Sequence, residues 1–126
     1  MNGLFLITGA LAAALAIGHA FLGERLLLVP MARQTDLPTT RFGGRATTMR
    51  ILRFTWHFFS AVMAFLAIAF VLLATGAIGG GDWALVRVLA VLFAIFGGLV
   101  LVLSRGRHFA WLLGVAAAVT AWLGTI

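Results

Sequence analysis

The sequence predicts an all-α polytopic membrane protein, a four-transmembrane-helix bundle running up-down-up-down. Hydrophobic residues make up 63% of the 126, with 15 glycines besides, where a soluble domain carries roughly 45–50% of the two classes together. Charged residues are 10%, against about 25% in soluble proteins. Those few charges gather between four apolar stretches, each near the roughly 20 residues that cross a bilayer as a helix. A chain of this length cannot hide so much apolar surface inside itself, so lipid covers the remainder.

The four spans are expected at 3–29, 51–75, 84–104 and 108–126, in one domain covering 1–126. The first has an uncharged core over 3–23, carries Glu24 and Arg25 in its last turns, and is expected to stop at Pro30. Gly18-His19-Ala20 has the small-x-small form of a leader cleavage site. No basic region precedes it and the apolar run continues beyond it, so a retained helix is expected. The second span has its uncharged core over 54–75, with Thr47 or Thr48 as the expected N-cap. The third carries Arg87 about a turn from its start, expected to snorkel toward the headgroups and Asp82. The fourth is free of acidic and basic residues apart from His108 at its start. The residues left over are too few for a soluble domain.

Orientation follows from the arginines. Arg33, Arg41, Arg45 and Arg50 lie in the long connection after the first span, with Arg53 at its edge, and Arg105 and Arg107 lie in the turn after the third. The connection 76–83 has no basic residue and one acid, Asp82. The positive-inside rule predicts a bacterial inner-membrane protein with both Arg-rich connections cytoplasmic and both termini periplasmic. Arg41, Phe42 and Arg45 suit the headgroup layer, as contacts to lipid or to a partner subunit.

Small residues four apart mark expected helix–helix contacts in lipid. Ala10, Ala14 and Gly18 form such a stripe in the first span, Ala90, Ala94 and Gly98 in the third, and Ala110, Gly114 and Ala118 in the fourth. Trp83, Trp111 and Trp122 fall near span ends, where indoles favour the interface; Trp56 lies deeper and needs another account. The two halves also share a pattern. Arg53-Phe54-Thr55-Trp56-His57-Phe58 is matched by Arg107-His108-Phe109-Ala110-Trp111, as expected of a parallel duplication about an axis along the membrane normal.

Composition excludes several chemistries. Without cysteine there is no disulfide, thiolate metal site or cysteine nucleophile, and without lysine no Schiff base. No H-E-x-x-H, G-x-S-x-G or Walker motif occurs. The net charge of +6 raises nucleic acid as a partner, but arginines flanking apolar runs are accounted for by topology.

Ionisable groups inside spans are costly and mark a functional candidate. His19, Glu24, Arg53, His57 and His108 all fall toward the cytoplasmic side of the expected topology. If the first two helices pack antiparallel, His19 and His57 share one level and Glu24 and Arg53 the next. Arg53 and His57, four apart, share a helix face. His19 and Glu24, five apart, do not, unless Gly23 loosens the helix. Several readings stay open. Glu24–Arg53 is a buried ion pair and the histidines hydrogen-bond to groups such as Ser60, as packing glue. Alternatively, His19 and His57 are axial ligands of a b-type haem, with Gly18 and Gly23 leaving room for the macrocycle and Arg25 or Arg53 at its propionates. His19, Glu24, His57 and His108 could instead hold a metal ion, or the same groups could serve a quinone, lipid or proton pathway. The corresponding functions are a non-enzymatic accessory subunit or homo-oligomer in contact with membrane lipids, a haem-, metal- or quinone-binding redox protein, and a small proton-coupled transporter.

The pattern His19-x-x-x-Gly23-Glu24-Arg25-x-Leu27 ending at Pro30, followed by Leu52-Arg53-Phe54-x-Trp56-His57, resembles a loose group of small proteobacterial four-helix inner-membrane proteins. The resemblance covers roughly the first half of the chain. It implies a membrane fold and carries no catalytic assignment. Small multidrug transporters and fluoride channels are of comparable size, but their mid-membrane glutamate and asparagine or phenylalanine motifs are not matched.

Overall fold

The computed structural model describes residues 1–39, 43–79 and 83–126. Among them the chain forms four helices and no strand. Helix α1 covers Gly3–Ala32, α2 Gly44–Thr75, α3 Ala84–Leu103 and α4 Ala110–Leu123. The first three are long and apolar enough to cross a membrane, and α4 is a shorter apolar helix of 14 residues. Arg41, Phe42 and Asp82, given roles from the sequence, lie outside the described residues.

Local chemistry sets the helix ends. Asn2 caps α1, its Oδ1 accepting from the Leu4 and Phe5 amides at 3.1 and 3.3 Å, which satisfies donors that lack an intrahelical partner. At the other end α1 runs past Pro30 to Ala32. The reason is a wider π turn over Glu24–Leu28, in which the Val29 amide reaches back to the Glu24 carbonyl. A proline ring collides with the carbonyl four residues before it in an ordinary helix; the widened turn ahead of Pro30 relieves that collision.

Helix α2 starts at Gly44, earlier than expected, so neither Thr47 nor Thr48 is its N-cap. Thr48 instead donates its hydroxyl to the carbonyls of Pro38 and Gly44 at 3.0 and 3.3 Å, tying the incoming connection to the first turn. Gly76 ends α2 in the left-handed conformation (φ 77°) that glycine adopts without a Cβ penalty. The fourth helix is trimmed relative to its apolar run. His108 and Phe109 belong to the turn before it, and Gly124 and Thr125 to a closing turn, with the Thr125 amide on the Trp122 carbonyl.

The helices pack as two antiparallel hairpins, α1 with α2 and α3 with α4, joined by a close α1–α4 contact. Glycine permits each hairpin. A Cβ on Gly9 would meet the Ala67 carbonyl at 3.1 Å, and one on Gly114 would meet the Cα of Gly97 at 3.0 Å. Across α1 and α4 the hydroxyls of Thr8 and Thr120 lie 2.8 Å apart, and Asn2 Nδ2 donates to the Gly124 carbonyl at 2.9 Å. The α2 and α3 backbones stay further apart and meet through rings, Phe59 with Phe96 and Phe70 with Phe93, both at 6.2 Å between centroids. Each half thus forms a hairpin, but the contact joining α1 to α4 differs from the one joining α2 to α3.

The small-residue stripes are partly corrected. Ala110, Gly114 and Ala118 do face inward, Gly114 and Ala118 fully. In α1, Ala10 and Ala14 are exposed, and the buried face is Phe5, Thr8, Gly9, Ala12, Leu15 and Ala16. In α3, Ala90 is buried, but Ala94 is exposed and Gly97 rather than Gly98 makes the contact. Apart from Thr8, α1 is apolar on every face over 3–18, and α3 over 88–103, so hydropathy does not choose among their faces there. The outward faces remain apolar, with Phe54, Phe65, Leu85 and Val102 all exposed.

Candidate functional site

Four of the five ionisable residues singled out from the sequence, His19, Glu24, Arg53 and His57, meet on one side of the α1–α2 hairpin. They form two connected groups. In the outer group the Glu24 carboxylate bridges two cations or donors, with Oε1 at 2.8 Å from the Arg53 guanidinium and Oε2 at 3.1 Å from His57 Nε2. Arg53 and His57 reach one carboxylate because they are four apart on a helix. The group is not buried: 30% of the Glu24 side chain, 46% of Arg53 and 47% of His57 remain accessible.

The inner group is built on His19. Ser60 Oγ donates to the Trp56 carbonyl at 3.2 Å, and with its one proton committed there it accepts from His19 Nδ1–H at 2.8 Å. The imidazole lies flat on the Trp56 indole and edge-on to Phe59. Trp56 Nε1–H donates to the backbone carbonyl of His19 at 2.7 Å. Gly23 makes room for this, since a Cβ there would collide with the indole at Nε1, Cε2 and Cζ2. The deep tryptophan therefore has a specific seat, formed by the histidine and the glycine of one helix.

His19 and Glu24 both serve α2 although the helix between them is regular, with the Glu24 amide on the Ala20 carbonyl; the π turn begins only at Glu24. Along α1 the buried positions recur every three or four residues from Phe5 to Ala16, and beyond them Gly23 and Leu28, five apart, are buried. The widened turn keeps Leu28 on the inner face. Glu24, one position after Gly23, stands at the flank of the contact and reaches around it to Arg53 and His57.

Other assignments are not brought together. His108 is exposed in the α3–α4 turn, stacked on Phe109, with its Nδ1 accepting from the Ala110 amide. The set His19, Glu24, His57 and His108 therefore does not converge, and no group of three or more metal-ligating side chains occurs among the described residues. The axial pair is also divided: His19 engages Ser60 and Trp56, and His57 engages Glu24. Trp56 fills the space beside Gly23 that a macrocycle would need. Arg53 is held by Glu24, and Arg25 lies over the Phe21 ring at 4.4 Å. Arg45 donates to the Ala32 carbonyl, linking the start of α2 to the end of α1.

Sequence reasoning missed the Thr8–Thr120 and Asn2–Gly124 contacts. The signal was available. Each threonine is an isolated hydroxyl in an apolar run, and antiparallel packing of α1 with α4 places them at one level. No family model matches the chain, and neither the curated proteins nor the solved structures contain a match to it.

Proposed function

We propose that the chain is a multi-pass protein of the bacterial inner membrane that works without catalysis of its own, as an accessory subunit or a homo-oligomer. In this reading the termini are periplasmic and the Arg-rich connections cytoplasmic, following the arginine bias of the sequence. One observation carries the functional part. The polar side chains of α1 and α2 engage each other as interhelical fasteners, Glu24 with Arg53 and His57 and His19 with Ser60 and Trp56. That leaves the apolar outer faces of the helices as the surface available for association. The alternatives have less support, because the redox reading needs His19 and His57 on a common ligand and their nitrogens have separate partners.

The test is purification of the full chain from membranes in a mild detergent, with mass measurement, protein identification, metal analysis and oxidised and reduced absorption spectra on one sample. Retention in the membrane after alkaline washing, with a stoichiometric homo-oligomer or partner, supports the reading. A stoichiometric haem, metal or quinone replaces it with the redox reading. Release by alkaline washing overturns it altogether. Reporter fusions at the two connections and the termini test the orientation.

A further inference from the structure

The membrane reading also accounts for a feature far from the polar cluster. Between the outer sides of α3 and α4 runs a shallow groove of about 260 Å³, lined by Ala90, Val91, Ala94, Ala118, Val119 and Trp122, with Leu123 at its edge. Its floor is low because the lining is mostly alanine and valine and because the two helices cross in contact at Gly97 and Gly114. Among the described residues no charged, amide or hydroxyl side chain lines it.

Arg87 stands at one end of this groove. It lies in the first turn of α3, a turn before Ala90 and Val91, and its guanidinium sits 5.8 Å from the centroid of Trp122, which lines the groove. Arg87 Nε donates to Thr125 Oγ1 at 3.1 Å, and that hydroxyl donates onward to the Trp122 carbonyl at 2.7 Å. This neutral contact fixes the guanidinium by one edge. Among the described residues no carboxylate pairs with Arg87. Its positive charge is uncompensated by them, and its two terminal amino groups form a fork of the kind that matches phosphate oxygens.

We infer that Arg87 and the α3–α4 groove form a binding site for one anionic phospholipid, with the phosphate on Arg87 and an acyl chain along Ala90, Ala94 and Ala118. The arrangement has the polarity of a lipid. The charge stands at a helix end, where headgroups lie, and the apolar groove runs from it for about 10 Å toward the middle of the span. Trp122 joins the two parts, with an amphipathic ring at the level where headgroup meets hydrocarbon. A second copy of the chain fits less well, because two-fold pairing through this groove about the membrane normal would bring two Arg87 side chains together at one depth. The inference rests on the membrane reading above.

The experiment is native mass spectrometry of the detergent-purified full chain, titrated with phosphatidylglycerol or phosphatidylcholine of matched chains. Membranes from the same cells are washed at alkaline pH in parallel. One phosphatidylglycerol per chain is expected to be retained in preference to phosphatidylcholine. Arg87→Gln reduces that preference about fivefold, the effect of one arginine on an anionic surface. Ala94→Leu fills the groove without touching the charge and weakens binding of both lipids. Circular dichroism confirms that each variant remains helical, and Arg87→Lys, which keeps the charge, retains part of the preference. Equal binding of the two lipids, or a preference unaffected by Arg87→Gln, overturns the site. A dimer that Ala94→Leu dissociates also overturns it, in favour of self-association. If the chain leaves the membrane on alkaline washing, the membrane reading fails with it; if it stays but shows no headgroup preference, the lipid site alone fails.

Discussion

The Trp56 indole lies face to face with the His19 imidazole, 4.2 Å between ring centroids and 6° between planes, while its Nε1–H is bonded to the backbone carbonyl of the same histidine. One side chain of α2 thus grips both the ring and the main chain of one residue of α1. The contact depends on Gly23, whose missing side chain leaves the indole its space.

Gly23→Ala is accordingly expected to displace Trp56. Overpacking of this kind costs about 1–3 kcal/mol where the neighbour cannot move freely. Thermal unfolding in detergent, followed by tryptophan fluorescence, should show a lower midpoint and a shifted emission maximum. An unchanged midpoint and emission would mean that the indole is not seated on Gly23. Trp56→Phe retains an aromatic ring and loses the hydrogen bond, so its cost should be the smaller of the two.

Glu24→Gln removes the carboxylate that joins Arg53 to His57. Because all three side chains are substantially accessible, the expected loss is about 1 kcal/mol or less. A double-mutant cycle with Arg53→Gln should give a coupling energy of a few tenths of a kcal/mol up to about 1 kcal/mol, shrinking as salt is added. A coupling of several kcal/mol, insensitive to salt, would contradict the open geometry.

Thr8 is fully buried and shares a hydrogen bond with Thr120 across α1 and α4. Thr8→Val should cost about 0.5–1.5 kcal/mol, the range for such bonds between apolar helices. Thr120→Val added to it should cost little more, since the shared bond is lost only once. Strict additivity in equilibrium unfolding would show that the two hydroxyls do not interact.

At the α3–α4 crossing, Gly114→Val places a branched side chain against Gly97 and Phe96. The helices must separate there, at a cost of about 1–3 kcal/mol. Disulfide trapping between cysteines placed at Ala90 and Ala118 should report the change, with faster cross-linking in the parent background than in the variant. Equal rates would refute the close crossing.

These predictions rest on contacts of unequal legibility. The helices could be read from the sequence because a long uncharged run bounded by arginine finds few stable environments besides a bilayer. The Glu24–Arg53 pairing could be read as well, because antiparallel register fixes which residues share a level. Faces could not. Over 9–18 of α1 and 88–103 of α3 every face is apolar, so Ala14 and Ala16 carry the same signal although only Ala16 is buried. The π turn was equally hidden, being a property of backbone geometry at Glu24–Leu28 rather than of residue type. His108 looked equivalent to the other histidines, yet it falls in the turn before α4, where the helix has not begun.

The α1–α4 contact also orders the assembly of the molecule in time. Its partners, Thr8 with Thr120 and Asn2 with Gly124, are more than 110 residues apart in the sequence, so a chain emerging from the ribosome cannot make it until α4 has been synthesised. Neither threonine depends on that contact for a partner: Thr8 bonds to the Leu4 carbonyl at 3.0 Å and Thr120 to that of Ala116 at 2.9 Å, each within its own helix. The two hairpins can therefore form separately during biosynthesis, and docking one on the other requires no hydroxyl to wait unsatisfied.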